Sequence, residues 1–226
     1  MNKPHENMLS PQLAGPTPPI VFEGKPVIKF RDESARRNFI KVAALIGVGS
    51  TLVAGSRHDK SAFADASAND LEILNYALTL EYLEADFYTQ GVKGDALKGR
   101  ALELVSPIRD HEQEHVTVLT SVIKDMGGKP AAKPEFTYPD GTFTSKSNFL
   151  TTASAFEELG VTAYHGQVPR IDDPELLKSA AAIAGVESRH AAIVADLLGG
   201  NPFPTSFENN KSMAAVLKVA GPFIKS

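Results

Sequence analysis

From Asn69 onward, apolar residues recur at three- and four-residue spacing, the period of one helix face. In "NDLEILNYALTLEYLEADFYTQG" the stripe runs through Leu71, Leu74, Ala77, Leu78 and Tyr82. Asn69 is placed to cap this first helix and Gly91 to end it. A second helical stretch covers about residues 95–126 and stops at Gly127-Gly128. Pro107 lies inside it and predicts a kink or break, because proline lacks the N–H that a helix needs. Residues 127–145, "GGKPAAKPEFTYPDGTFTS", are rich in Gly, Pro and Asp and read as a long surface connection. A third helix is expected from near Ser147 to about Gly166. Asp173-Pro174 then supplies a cap followed by proline at the first helical position, and a fourth helix runs to Gly199-Gly200. A short fifth helix, over about residues 212–220, packs on the outside. Short links join helices one to two and three to four, and a long crossover joins two to three. The expectation is an all-α four-helix bundle with a long crossover between helices 2 and 3, plus a short C-terminal helix.

The pattern before residue 68 is of another kind. Residues 1–30 are Pro-rich and carry no sustained period, so no packed element is expected there. In "ARRNFIKVAALIGVGSTLVAG" (35–55), Arg36 and Arg37 precede an apolar run from Val42 to Ala54, and Ala62-Phe63-Ala64 offers a cleavage site. A charged start, a short apolar stretch and an A-x-A site together make a signal peptide. Arg-Arg-Asn-Phe-Ile-Lys resembles the bacterial twin-arginine signal. The apolar run falls short of the ~20 residues that a membrane span needs. The competing reading is a buried helix that happens to begin with two arginines. Charge separates the two parts as well, with a net +4 over residues 1–64 and −8 over 65–226. The chain is therefore divided into a leader, 1–67, and a bundle domain, 68–226. The expected location is periplasmic or otherwise exported, with no stable membrane span in the mature form and an anchor only if the leader is retained.

With 226 residues, 42% of them hydrophobic, the chain can build one core of ordinary size plus a tail. It has no cysteine, which excludes disulfides, thiolate catalysis and cysteine-held clusters. A metal must then be held by His, Asp and Glu, ligands that suit hard or borderline ions. A net charge of −4 without a basic stripe disfavours nucleic acid as a partner.

The helices repeat. "LEYLEADFY" (80–88) aligns with "FEELGVTAY" (156–164), matching Glu81 to Glu157 and Tyr88 to Tyr164 at an offset of 76. "IRDHEQEHVTVL" (108–119) aligns with "IAGVESRHAAIV" (183–194), matching Glu112 to Glu187 and His115 to His190 at an offset of 75. A helical hairpin is thus present twice, and the repeat includes polar residues at positions that ought to be core. Residues three apart share a helix face, so Glu112 with His115, and Glu187 with His190, can each converge on one spot. Glu81 and Glu157 supply one inward carboxylate from each remaining helix. Four carboxylates neutralise two divalent cations, as a core of low dielectric demands. Without cations, the crowded carboxylates must hold protons. Bland alternatives stand beside each assignment. A lone Glu-x-x-His is most often a solvated helix face. Glu84 competes with Glu81, as a fifth carboxylate or a solvent-facing one, and Glu158 competes with Glu157. Tyr88 and Tyr164 are core aromatics whose hydroxyls need a partner if buried, and a ligand carboxylate is the natural one. His111 and His165 read as surface residues or as outer support for the ligands.

"LEYLEADFY", "DHEQEH", "FEELGVTAY" and "VESRH", in this order and around a long middle crossover, resemble the ferritin-like superfamily. More narrowly they are similar to the bacterial ferritin-like proteins of desiccation-related type, and "SMAAVLKVAGPFI" also looks like that subgroup. The resemblance covers about residues 68–226. It implies metal ligation by Glu81, Glu112, His115, Glu157, Glu187 and His190, holding two Fe or two Mn ions with Fe favoured. Glu112 and Glu187 are then bridging or chelating, Glu81 and Glu157 terminal, and one histidine serves each ion. No catalytic residue beyond these ligands and no organic cofactor is implied. Many members carry Asp directly before the Glu of Glu-x-x-His, where it supports the opposite His. This chain has His111 and Val186 there, so the tuning of the site is in doubt, with Asp110 or a tyrosine available as substitutes.

The function expected is an exported protein that oxidises Fe²⁺ or handles peroxide or O₂ in stress defence. A non-catalytic bundle, holding metal or none, is the alternative, so an enzymatic role stays open. Partners are metal ions and small oxygen species, with a homo-oligomer also open. His111-Glu112-x-x-His115 also fits the zinc-peptidase pattern. That reading needs a third ligand, for which Glu135 in a Pro-rich connection is poorly placed, and it leaves Glu187, His190 and the duplication unexplained.

Overall fold

The structure, a computed structural model, describes residues 67–225. The expected leader, apart from Ser67, and its twin-arginine-like segment fall outside the described residues. Four long helices are present: α1 (Ala68–Lys93), α2 (Arg100–Asp125), α3 (Lys146–Gln167) and α4 (Pro174–Leu198). A short α5 (Met213–Ala220) follows. α1 packs mainly on α2 and α3 mainly on α4, with smaller α1–α3 and α2–α4 faces. This is the expected ferritin-like bundle of two hairpins joined by one long crossover.

Local chemistry explains the helix ends. The Ser67 side chain accepts from the Asp70 N–H at 3.0 Å, so α1 is capped two residues ahead of the expected Asn69. Gly91 does not end α1. A Cβ at that position would lie 2.0 Å from a ring carbon of Phe149, so this glycine serves close packing of α1 on α3. α2 begins at Arg100, later than expected, after Gly99 at φ 54°, a left-handed conformation that glycine adopts without strain. α2 also runs unbroken through Pro107, contrary to the expected break. The carbonyl left without its helical donor belongs to exposed Glu103, where water can serve instead. α4 starts as expected, with Asp173 Oδ1 accepting from Glu175 N at 2.7 Å and Leu176 N at 3.1 Å, and it ends at left-handed Gly199.

Two apolar clusters sandwich a polar layer. Along α2, Ala101, Val105 and Ile108 belong to one cluster and Leu119, Val122 and Ile123 to the other, with Glu112 and His115 between them. The first cluster is aromatic. Phe87 stacks on Phe149 at 4.6 Å and meets Phe156 edge-on at 5.0 Å. The crossover is pinned here by Tyr138 and Phe143, with Tyr138 Oη donating to Asp86 at 3.1 Å. The C-terminal segment returns to it, with Thr137 N donating to Phe223 O and Lys225 N to Glu135 O, both at 2.9 Å. Buried Asp70 ties the starts of α1 and α4 together by accepting from the N–H groups of Asp172 (2.9 Å) and Asp173 (3.1 Å). No described helix is long and apolar enough to cross a membrane.

Candidate metal centre

Each long helix sends carboxyl or imidazole groups into the layer between the clusters. Glu81 comes from α1, Glu112 and His115 from α2, Glu157 from α3, and Glu187 and His190 from α4. The four glutamates are at 0% exposure and the histidines are buried, whereas Glu158 faces solvent. Of these two neighbours, Glu157 is the one that lies in the layer. Glu81, Glu112, His115 and Glu187 offer ligand atoms that all lie within 4.8 Å of one another. Glu112, Glu157, Glu187 and His190 do the same, so Glu112 and Glu187 belong to both groups.

The contacts come in pairs related by the sequence repeat. His115 Nδ1 lies 3.2 Å from Glu187 Oε1, and His190 Nδ1 lies 2.8 Å from Glu112 Oε1. The Tyr88 hydroxyl donates to Glu157, and the Tyr164 hydroxyl donates to Glu81. Each tyrosine therefore orients a buried carboxylate of the opposite hairpin. Asp110 instead pairs with Arg109 on the surface, so it does not support the site.

Several of these close approaches are not hydrogen bonds. Among the described residues, Glu112 Oε1, Glu157 Oε2, both Glu187 oxygens and His190 Nδ1 are buried without a hydrogen-bond partner. Buried polar atoms are nearly always satisfied, so orphans clustered at one place require an explanation. A pair of cations between them supplies one, since each orphan then becomes a ligand. The donor set of carboxylate oxygens and imidazole nitrogens also fits iron or manganese.

Without cations the cluster is electrostatically strained. Burial raises the Glu81 pKa from 4.5 to about 7, with His115 opposing. Burial and the neighbouring Glu112 charge hold Glu187 well above the usual carboxylate range. Glu112 also suffers burial, but His115 and His190 outweigh it and hold its pKa low. Burial pulls the pKa of both histidines down, yet the surrounding carboxylates win and hold them high. Protons stand in for the missing positive charge.

Two positions break the pairing. Glu84 is buried, and its partner in the repeat alignment is Gly160. A Cβ on Gly160 would lie 3.3 Å from Glu84 Oε1 and 3.2 Å from Glu187 Oε2, so the glycine leaves room for a fifth carboxyl group. Burial and then the Glu187 charge hold the Glu84 pKa well above the usual range. The sequence left Glu84 open, and the signal lay in the alignment, where an acidic residue faces a glycine. The second break is His111. Its ring lies at the surface, but its Nδ1 is 2.9 Å from His190 Nε2. Among the described residues, His165 bonds the Val161 carbonyl of its own helix, at 2.8 Å.

The ferritin-like domain family matches residues 69–200. The chain belongs to this family. No curated protein matches it. Among solved structures it is similar to a hypothetical protein from Methanococcus jannaschii. That match has 14% sequence identity and a TM-score of 0.49, over 74% of this chain and 98% of that one. Family membership and the buried carboxylate–imidazole cluster together make a metal site the natural reading of this layer.

Proposed function

We propose that this ferritin-like bundle holds two Fe or two Mn ions, with Fe favoured, and uses them to oxidise Fe²⁺ or to handle peroxide or O₂. The observation that carries the reading is the sharing of Glu112 and Glu187 between two four-residue groups whose orphaned atoms face one another. His115 and Glu81 complete one half-site, and His190 and Glu157 the other. Such a pair of ions, when bound, supplies one-electron chemistry at two adjacent centres.

The protein's own groups do the rest. Tyr88 and Tyr164 fix the terminal carboxylates through their hydroxyls and keep them turned inward. The apolar clusters above and below exclude bulk water, which strengthens every charge interaction in the layer. The enclosed geometry suits a substrate of a few atoms.

The leader argues for export, so the site of action is the periplasm or another compartment outside the cytoplasm, in stress defence. The test is to load metal-free protein with Fe²⁺ or Mn²⁺, measure metal per chain, and follow Fe²⁺ oxidation and peroxide loss. About two ions per chain with turnover is the expected result. Two ions without turnover supports the non-catalytic alternative, and failure to bind either metal overturns the proposal.

A further inference from the structure

The two half-sites differ at the position before the shared glutamate, which is His111 in the first hairpin and Val186 in the second. The His111 and His190 rings meet edge to edge and nearly coplanar, with centroids 5.1 Å apart and planes 16° from parallel, and His111 Nδ1 lies 2.9 Å from His190 Nε2. The nitrogen of His190 that faces the carboxylates is Nδ1, 2.8 Å from Glu112 and 3.5 Å from Glu157. For Nδ1 to present a lone pair to a cation, the ring proton must sit on Nε2. His111 Nδ1 is then its acceptor, which holds both the tautomer and the orientation of His190. On the other side Val186 offers no acceptor to His115, and His115 is the more exposed of the two ligand rings.

Resting on the dimetal reading above, we propose that His111 is a positioning residue that makes the two half-sites unequal, so that the cation on His190 is held more tightly than the cation on His115. The His115 ion is then the one that exchanges.

The test is titration of the metal-free protein with Mn²⁺, followed by calorimetry and by the electron-paramagnetic signal of free Mn²⁺. Loss of an outer hydrogen-bond partner weakens metal binding by about 10–100-fold, so two steps separated by about that factor are expected. His111→Ala should weaken the tighter step by a similar factor and leave the weaker one in place. His111→Asn, which restores an acceptor near the Nδ1 position, should recover most of the loss. His115→Gln should remove the weaker step alone. Because His111 lies at the surface, its truncation opens no core, and melting of the metal-free variants checks this directly. Two equal steps in the parent protein would overturn the inference and leave the dimetal reading standing. So would a His111→Ala variant in which both steps, or neither, move. Uptake of no Mn²⁺ or Fe²⁺ would overturn both.

Discussion

Removing divalent cations and raising the pH should destabilise this bundle, although most proteins are comfortable near neutrality. The sign follows from the acids in the buried layer. Glu81 has its pKa raised from 4.5 to about 7 by burial, so the folded metal-free protein binds more protons than the unfolded chain across that window. Stability contributed by its protonation is fully present below 4.5 and is lost as pH rises through about 7. At ~1.4 kcal/mol per unit, a difference of about 2.5 units amounts to about 3 kcal/mol from this group. Glu84, Glu157 and Glu187 are raised as well and act in the same direction. His115 and His190, held above 6.5 by carboxylates, extend the loss to higher pH. Glu112 is lowered, but its contribution is already present above 4.5 and does not change the slope. His111, lowered by burial, acts oppositely but only below 6.5. For a domain of this size, 3 kcal/mol corresponds to roughly 6–12 °C in Tm. The assay is thermal melting in chelator from about pH 5 to about pH 8, repeated with Mn²⁺. Bound cations should reverse the slope, because ligands must be deprotonated and protons compete with metal. A metal-free Tm that is flat or rises over this range would refute the electrostatic account.

Other expectations separate site from scaffold. Glu157→Gln should reduce metal per chain, while Glu158→Gln at the exposed neighbour should change stability by no more than about 0.5 kcal/mol and leave uptake intact, as metal analysis and melting will show. Gly160→Ala places a methyl 3.2 Å from Glu187 Oε2, so metal uptake should fall even though alanine favours a helix by up to about 1 kcal/mol over glycine. A variant that binds metal as well as its parent would show that this crowding is harmless. Asp70→Ala removes the acceptor for two N–H groups at the start of α4 and should destabilise by about 2–3 kcal/mol, seen in denaturant melts without any change in metal stoichiometry.

What depends on neighbours along the chain is legible in the sequence. Apolar spacing and the Asp173-Pro174 signal located the helices, and the duplicated Glu-x-x-His pattern located the polar layer. Contacts between distant segments, and exposure to solvent, leave no mark on local pattern. Gly91 looks like a helix terminator, yet it is a packing glycine, because only the approach of Phe149 from α3 gives it that role. Pro107 looks like a breaker, but its neighbouring carbonyl is exposed and the helix continues. Ser67 and Asp70 carry no strong motif, and their value comes from the segment some hundred residues away that they hold.

The sequence by itself determined the class of fold and the inventory of acidic and imidazole groups brought to the core. Helical period, turn residues and an internal repeat are properties of neighbours along the chain, and a repeat that preserves Glu and His at core positions already demands something positive to neutralise them. Tertiary structure alone decided which carboxylates are shared between the two groups, that each tyrosine serves the opposite hairpin, that Glu84 enters where Gly160 yields, and that His111 rather than Asp110 touches His190. These are relations across helices. They depend on the axial register and rotation of one helix against another, which the packing of the two apolar clusters sets and no single stretch of residues encodes.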